Sequence, residues 1–167
     1  LKNRQKWIEK ADQLASKGLR VLAFAYSEIN KPEEQFFHNL NFIGFIGFLD
    51  PPRMEVKEAI QTCKDAGIKV IMATGDHPET ARTIALKIGL IDNPKTPVVH
   101  GSQLCAPEQL EAKELEVFLN TNIFSRVNPA QKLDLVSIYQ KKHFTVGMIG
   151  DGINDAAALA AADLSMA

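Results

Sequence analysis

The sequence predicts an α/β domain with a doubly wound, mostly parallel sheet, and three observations carry that expectation. Short apolar runs alternate with helical patterns along most of the chain, as in successive strand–helix–strand units. The run at 68–73 is almost continuously apolar, which suits a strand buried on both faces of a parallel sheet. Two apolar runs break abruptly into glycine and acid, at Thr74-Gly75-Asp76 and at Gly150-Asp151-Gly152. In open α/β sheets the carboxyl ends of strands are where ligands bind.

Taken in order, a helix over 5–16 places Trp7, Ile8, Ala11, Leu14 and Ala15 on one face, with Gly18 as its stop. A strand follows at 19–26. Residues 31–39 are polar, carry Pro32 and read as a linker, so 1–30 fall to a neighbouring unit and 40–167 to the main domain. The apolar strand at 40–49 closes on Asp50-Pro51-Pro52-Arg53; the prolines end a ladder, and Pro52 suits the first turn of a helix. That helix, 54–66, buries Val56, Ala59, Ile60 and Cys63 and stops at Gly67. The 68–73 strand leads into a helix with Ala81, Ile84, Ala85 and Ile88 inward and Gly89 closing it.

Residues 91–97 read as loop and Val98-Val99 as a brief strand. An amphipathic helix over 107–119 bears Leu110, Leu115, Phe118 and Leu119, and a strand is expected at 122–127. Asn128-Pro129 supplies an N-cap and first helical residue for a helix through 141. A strand at 144–149 and a helix at 153–162 complete the pattern, and a new apolar run begins at Leu164. Both ends read as cut from something longer.

Composition narrows the function. The apolar share of 46% and charged share of 23% are those of a soluble globular chain. A formal net charge of −1 argues against a nucleic-acid partner held by phosphate neutralisation. No stretch approaches the ~20 apolar residues of a membrane span. The histidines are dispersed, and Cys63 and Cys105 have no metal-ligand spacing.

The two strand ends carry the chemistry. Thr74-Gly75-Asp76 presents a hydroxyl, flexible backbone N–H groups and a helix start to one point, which favours an anion, phosphate above all. The same letters also describe an ordinary turn with Asp76 capping the helix. Asp151 and Asp155 are acceptor-only groups suited to Mg²⁺, with the Asn154 amide beside them. Lys132 is able to bring a compact positive charge to a phosphate, or simply to stand in solvent; Arg20, Arg53 and Arg126 pose the same choice. A dinucleotide fingerprint is excluded, because Asp155 stands where its third glycine is needed. A Gly-x-x-x-x-Gly-Lys-[Ser/Thr] loop is absent.

At this point the residues resemble a family. Met148-Ile149-Gly150-Asp151-Gly152-Ile153-Asn154-Asp155-Ala156-Ala157-Ala158-Leu159 resembles the hinge motif of P-type cation-transporting ATPases. Asp50-Pro51-Pro52-Arg53, Thr74-Gly75-Asp76 and Arg126-Val127-Asn128-Pro129-Ala130-Gln131-Lys132 resemble three further motifs in the right order, worded most like type II, calcium-type pumps. Gly18-Leu19-Arg20-Val21-Leu22-Ala23 resembles the end of the nucleotide-binding domain. The resemblance implies a haloacid-dehalogenase-like phosphorylation domain using ATP and Mg²⁺. It makes Asp151 the Mg²⁺ ligand, with Thr74 and Gly75 holding phosphate, Lys132 neutralising it, Asn154 hydrogen-bonding it and Asp155 ordering the site. It makes Asp76 a positioner of nucleotide and metal, with Arg20, Arg53 and Arg126 on the cofactor side. The partners it implies are the nucleotide-binding, actuator and transmembrane domains of a pump, and the location a membrane's cytoplasmic face.

One departure matters. The family's Asp-Lys-Thr-Gly-Thr phosphorylation motif is absent from these residues. The expectation is a domain without the strand that carries the nucleophile, inactive alone and able to self-associate through an exposed sheet edge. A free-standing phosphatase of the same superfamily would need its own nucleophilic aspartate, and 1–50 offer only Asp12 and Asp50. A non-catalytic regulatory module keeping the fold is the other rival.

Overall fold

The computed structural model describes residues 3–28, 39–49, 51–106, 110–150 and 152–167. The expected linker at 31–39 lies outside these residues except for Asn39, and so do Asp50 and Asp151. The chain divides into two compact units, Leu1–Pro51 and Pro52–Ala167.

In the first unit, helix α1 (Arg4–Ala15) precedes strands β1 (Arg20–Tyr26) and β2 (Asn41–Phe48), which pair antiparallel. Aromatic packing ties α1 to β2: Trp7 of α1 meets Phe42 edge-on at 4.8 Å, and Phe42 meets Phe45 at 5.1 Å. Val21 lies opposite Gly47 and Leu22 opposite Ile46, with the register slipping between Phe24 and Ala25. Ile8, expected on the packed face of α1, is instead 41% exposed.

The second unit runs α2 (Glu55–Asp65), β3 (Met72–Ala73), α3 (Pro78–Lys87), β4 (Val99–His100), α4 (Ala112–Asn120), β5 (Ile123–Ser125), α5 (Pro129–Lys141), β6 (Gly147–Ile149), α6 (Ala156–Ala161) and β7 (Leu164–Met166). Strands β3, β5 and β4 form a parallel sheet in that order, and β6 pairs parallel with β7. The central strand β5 shows why the fold is doubly wound, as expected. Ile123 and Phe124 are both fully buried, and successive strand residues point to opposite faces. Ile123 packs with Ile60, Ala81, Ala85 and Ile88 from α2 and the α3 region. Phe124 packs with Phe118, Leu135 and Ile138 from α4 and α5. Helices therefore cover both faces of one sheet.

Several elements are shorter than their letters predict, each for a local reason. Within 68–73 only Met72 and Ala73 join the ladder, because the Asn122 amide donates to the Val70 carbonyl at 2.9 Å in place of a strand rung. The Lys69 ammonium donates to the Leu119 carbonyl at the end of α4. Residues 107–109 of the helix expected over 107–119 lie outside the described residues; α4 begins at Ala112, where the Glu111 N–H is taken up by the Glu114 carboxylate at 3.1 Å. Strand β6 loses Phe144, whose ring packs on Tyr139 at 5.7 Å and whose N–H donates to the Tyr139 carbonyl. The last helix opens with a 3-10 turn, Ile153–Asp155, before α6.

Two predictions follow for stability. Phe124→Ala should lower unfolding free energy by about 3–5 kcal/mol in a denaturant titration, since a large ring leaves a closed core. Burial pushes the Tyr139 phenol from its ordinary 10.0 up to about 12. The folded chain thus keeps a proton that the unfolded chain has released, so stability should fall as pH rises from 10 through 12. Tyr139→Phe should flatten that fall in a pH series of unfolding midpoints.

Candidate functional site

The site begins where β3 stops. The Thr74 hydroxyl donates to Asp76 Oδ2 at 3.0 Å, and the Asp76 N–H donates to Thr74 Oγ1 at 3.1 Å. Hydroxyl and carboxylate hold each other across Gly75, which is exposed, with the Val127 carbonyl oxygen 3.9 Å from where a Cβ would stand. Asp76 does not cap α3. That place belongs to His77, whose Nδ1 accepts from the Glu79 N–H at 3.4 Å, with Pro78 as first helical residue. The carboxylate of Asp76 is thereby left to the turn rather than to the helix.

The segment leaving β5 fastens this turn. Arg126 N–H donates to the Asp76 carbonyl at 3.1 Å, and Val127 N–H to the Thr74 carbonyl at 3.0 Å. To do both, Arg126 takes the left-handed backbone region at φ 53, which costs a non-glycine residue about 1–2 kcal/mol. Asn128 then caps α5 reciprocally with Gln131, each backbone N–H donating to the other's side chain at 2.9 Å.

Lys132 lies in the first turn of α5, and its ammonium pairs with Asp155 Oδ1 at 2.5 Å. The two side chains retain only 17% and 10% of their accessible surface. Asp155 reaches this position because the chain bends back after β6. Its N–H donates to the Gly152 carbonyl at 2.9 Å, and its carboxylate folds over Gly150. A Cβ on Gly150 would stand 2.6 Å from Asp155 Oδ2, so the close approach requires glycine there.

Thr74, Gly75, Asp76, Arg126, Lys132 and Asp155 are thus linked through one segment, 126–132, at the carboxyl ends of β3 and β5 and just beyond β6. Asn154 is exposed in the 3-10 turn beside Asp155. Arg53 is exposed ahead of α2, and Arg20 is exposed at the start of β1 in the other unit. Asp151 lies outside the described residues. Among the described residues no group of three His, Cys, Asp or Glu is arranged to hold a metal. Asp155 is committed to Lys132. Sequence reasoning missed Gly101 and Gln131, although the Asn128-x-x-Gln131 spacing is a legible capping signal.

A model of the haloacid dehalogenase-like hydrolases matches residues 1–163. The chain is 42% identical over 159 residues to a calcium-transporting ATPase of Bacillus subtilis, covering 92% of this chain and 17% of that protein. It is 40% identical over 163 residues to calcium-transporting ATPase 1 of Saccharomyces cerevisiae, covering 95% and 17%. With the sodium/potassium-transporting ATPase subunit alpha-1 of Oreochromis mossambicus it shares 39% over 171 residues, covering 87% and 16%. The chain therefore spans 16–17% of the length of these relatives.

The packing of Asp155 over Gly150 is open to a double-mutant cycle. Gly150→Ala should lose about 1–3 kcal/mol through overpacking. Combined with Asp155→Gly, the total loss should be smaller by at least about 0.5 kcal/mol than the sum of the single variants, because both the Cβ and the carboxylate that the new methyl group would strike are gone. Additive unfolding free energies would show that the carboxylate does not occupy that space.

Proposed function

The chain belongs to the haloacid dehalogenase-like hydrolases, and from that footing we propose that it serves as the phosphorylation domain of an ATP-driven cation pump, of calcium type. The observation that carries this reading is that segment 126–132 joins the Lys132–Asp155 pair to the Thr74–Asp76 turn at the strand ends. A cation, a hydroxyl and flexible backbone N–H groups at such a place suit the charge that develops on a phosphoryl group in transfer.

In this reading Lys132 neutralises phosphate, while Thr74 and Gly75 hold its oxygens. Asp155 keeps the Lys132 ammonium in position, and the exposed Asn154 amide adds a donor. Asp76 orients nucleotide and metal. The oxygen donors at this end fit Mg²⁺, which ordinarily takes one or two carboxylates together with substrate phosphate. Asp151, the ligand that the resemblance of Gly150-Asp151-Gly152 implies, would hold the metal directly. Bound Mg²⁺ supplies neutralisation of phosphate charge.

Residues 1–30 would close a nucleotide-binding domain, bringing Arg20 to ATP, with 31–39 as linker and 40–167 as the phosphorylation domain carrying Arg53 and Arg126. The nucleotide-binding, actuator and transmembrane domains of the pump are the partners, and the cytoplasmic face of a membrane is the location. No helix among the described residues is long and apolar enough to cross a membrane. Because the 167 residues lack Asp-Lys-Thr-Gly-Thr, the nucleophile would be supplied by chain beyond them.

The test uses both forms. The isolated chain should release no phosphate from ATP or from a phosphate ester. In the pump polypeptide, Asp151→Ala should abolish Mg²⁺-dependent phosphoenzyme, and Lys132→Ala should lower its rate of formation by about 10²–10³. Normal phosphoenzyme in both variants, or ester turnover by the isolated chain that Asp50→Asn removes, would overturn the assignment.

A further inference from the structure

The segment that links the two halves of the site is itself held from behind. Gly101 opens the 3-10 turn Gly101–Gln103 after β4 and is buried. Its backbone is outside the left-handed region, so space rather than conformation calls for glycine there. A Cβ on Gly101 would fall inside contact distance of the Arg126 carbonyl oxygen and stand 2.8 Å from Gln131 Oε1. The Gly101 carbonyl accepts from Gln131 Nε2 at 2.6 Å, while Gln131 Oε1 accepts from the Asn128 N–H at 2.9 Å. His100 and Gln103 fix the turn itself, the His100 N–H donating to Gln103 Oε1 at 3.0 Å. One glutamine amide therefore joins three segments: the turn after β4, the bend after β5, and the first turn of α5 that bears Lys132.

We infer that Gly101 and Gln131 are positioning residues for the site, acting through the Arg126 peptide. Arg126 sits in the left-handed region and donates to the Asp76 carbonyl, and Val127 donates to Thr74. Moving the Arg126 carbonyl off Gly101 rotates the Arg126–Val127 peptide, whose N–H donates to the Thr74 carbonyl, and so shifts the Thr74–Asp76 turn. Gln131 restrains the same bend from the other side, one residue from Lys132. Gly101 is not in the sheet core and carries no functional group; its contribution is a surface on which a strained peptide can rest. The inference rests on the proposed phosphate-handling role of Thr74 and Lys132 for its consequence, but the coupling itself is independent of that role.

The experiment compares ¹⁵N-labelled chains carrying Gly101→Ala, Gln131→Glu and, as control, Gly67→Ala. Gly67 has φ 73 and open space around it, so alanine there strains the end of α2 away from the site. Gln131→Glu keeps the acceptor for Asn128 and removes the donor to Gly101, so it decides the matter if Gly101→Ala does not fold. Backbone amide positions of Thr74 and Asp76 should move in both test variants and stay put in the control, although the control also loses stability. A second arm titrates inorganic phosphate with Mg²⁺, for which the test variants should bind about tenfold more weakly, a 1.4 kcal/mol change. Unmoved Thr74 and Asp76 amides in the test variants, or the same movement in Gly67→Ala, would overturn the inference. Moved amides with no phosphate binding in any chain would leave the positioning intact and count against the proposed function.

Discussion

The rest of the structure depends on the complete burial of β5. Three consecutive residues, Ile123, Phe124 and Ser125, are out of solvent, which is affordable for a strand only if both faces are covered and its backbone is paired on both sides. Both conditions are met: β3 and β4 flank it, and the Ser125 hydroxyl donates to the Val99 carbonyl at 3.3 Å. Having fixed the strand this firmly, the fold also fixes where the chain leaves the sheet. Residues 126–132 begin there, and they join the Thr74 turn to Lys132. Core and site are therefore coupled, because close-packed interiors transmit displacement rather than absorbing it.

The acids of the site are separated by what each is given as a partner. Asp76 receives a hydroxyl and keeps part of its surface; Asp155 receives an ammonium and is almost buried. A carboxylate in the second environment is expensive to leave alone, since removing the cation strands a charge out of water. Asp155 and Lys132 are accordingly one structural unit, and their neighbourhood tolerates change only when both are considered. Gly150 belongs to that unit although it has no side chain, because the carboxylate lies where a methyl group would be.

Much of this was legible in the letters and some was not, for physical reasons that differ by element. Helices declared themselves through apolar spacing and stop signals: Ala81 and Ala85 are fully buried on α3, and Asn128-Pro129 starts α5 where the capping rule puts it. Strand lengths were overread. An apolar run such as 68–73 states neither that its residues are fully buried nor that they are laddered: Ile68 is exposed, and the Val70 carbonyl is taken by the Asn122 side chain, distant in sequence. Phe144 looked like strand for the same reason and is held by Tyr139 instead. The polar residues at the strand ends were visible as a cluster, but the partition of partners among them was not. That Asp155 pairs with Lys132, and that His77 rather than Asp76 caps α3, depends on chain reversals that no local pattern encodes.

The Lys132–Asp155 pair also bears on how such a site meets an anion. A lysine ammonium has three donors and no acceptor, and here one of them is spent on Asp155 Oδ1. A lysine free in solvent would have to lose much of its rotamer freedom on meeting phosphate, whereas this one has already lost it on folding. The carboxylate lowers the net charge of the pair, which weakens long-range attraction, but it aims the remaining donors and holds them in a partly dry setting where each counts for more. In the proposed reading, then, the attraction at short range comes from orientation rather than from excess positive charge. A site built this way discriminates by the geometry of oxygens around phosphorus, and it has little hold on an anion that cannot reach the Thr74 turn and Lys132 together.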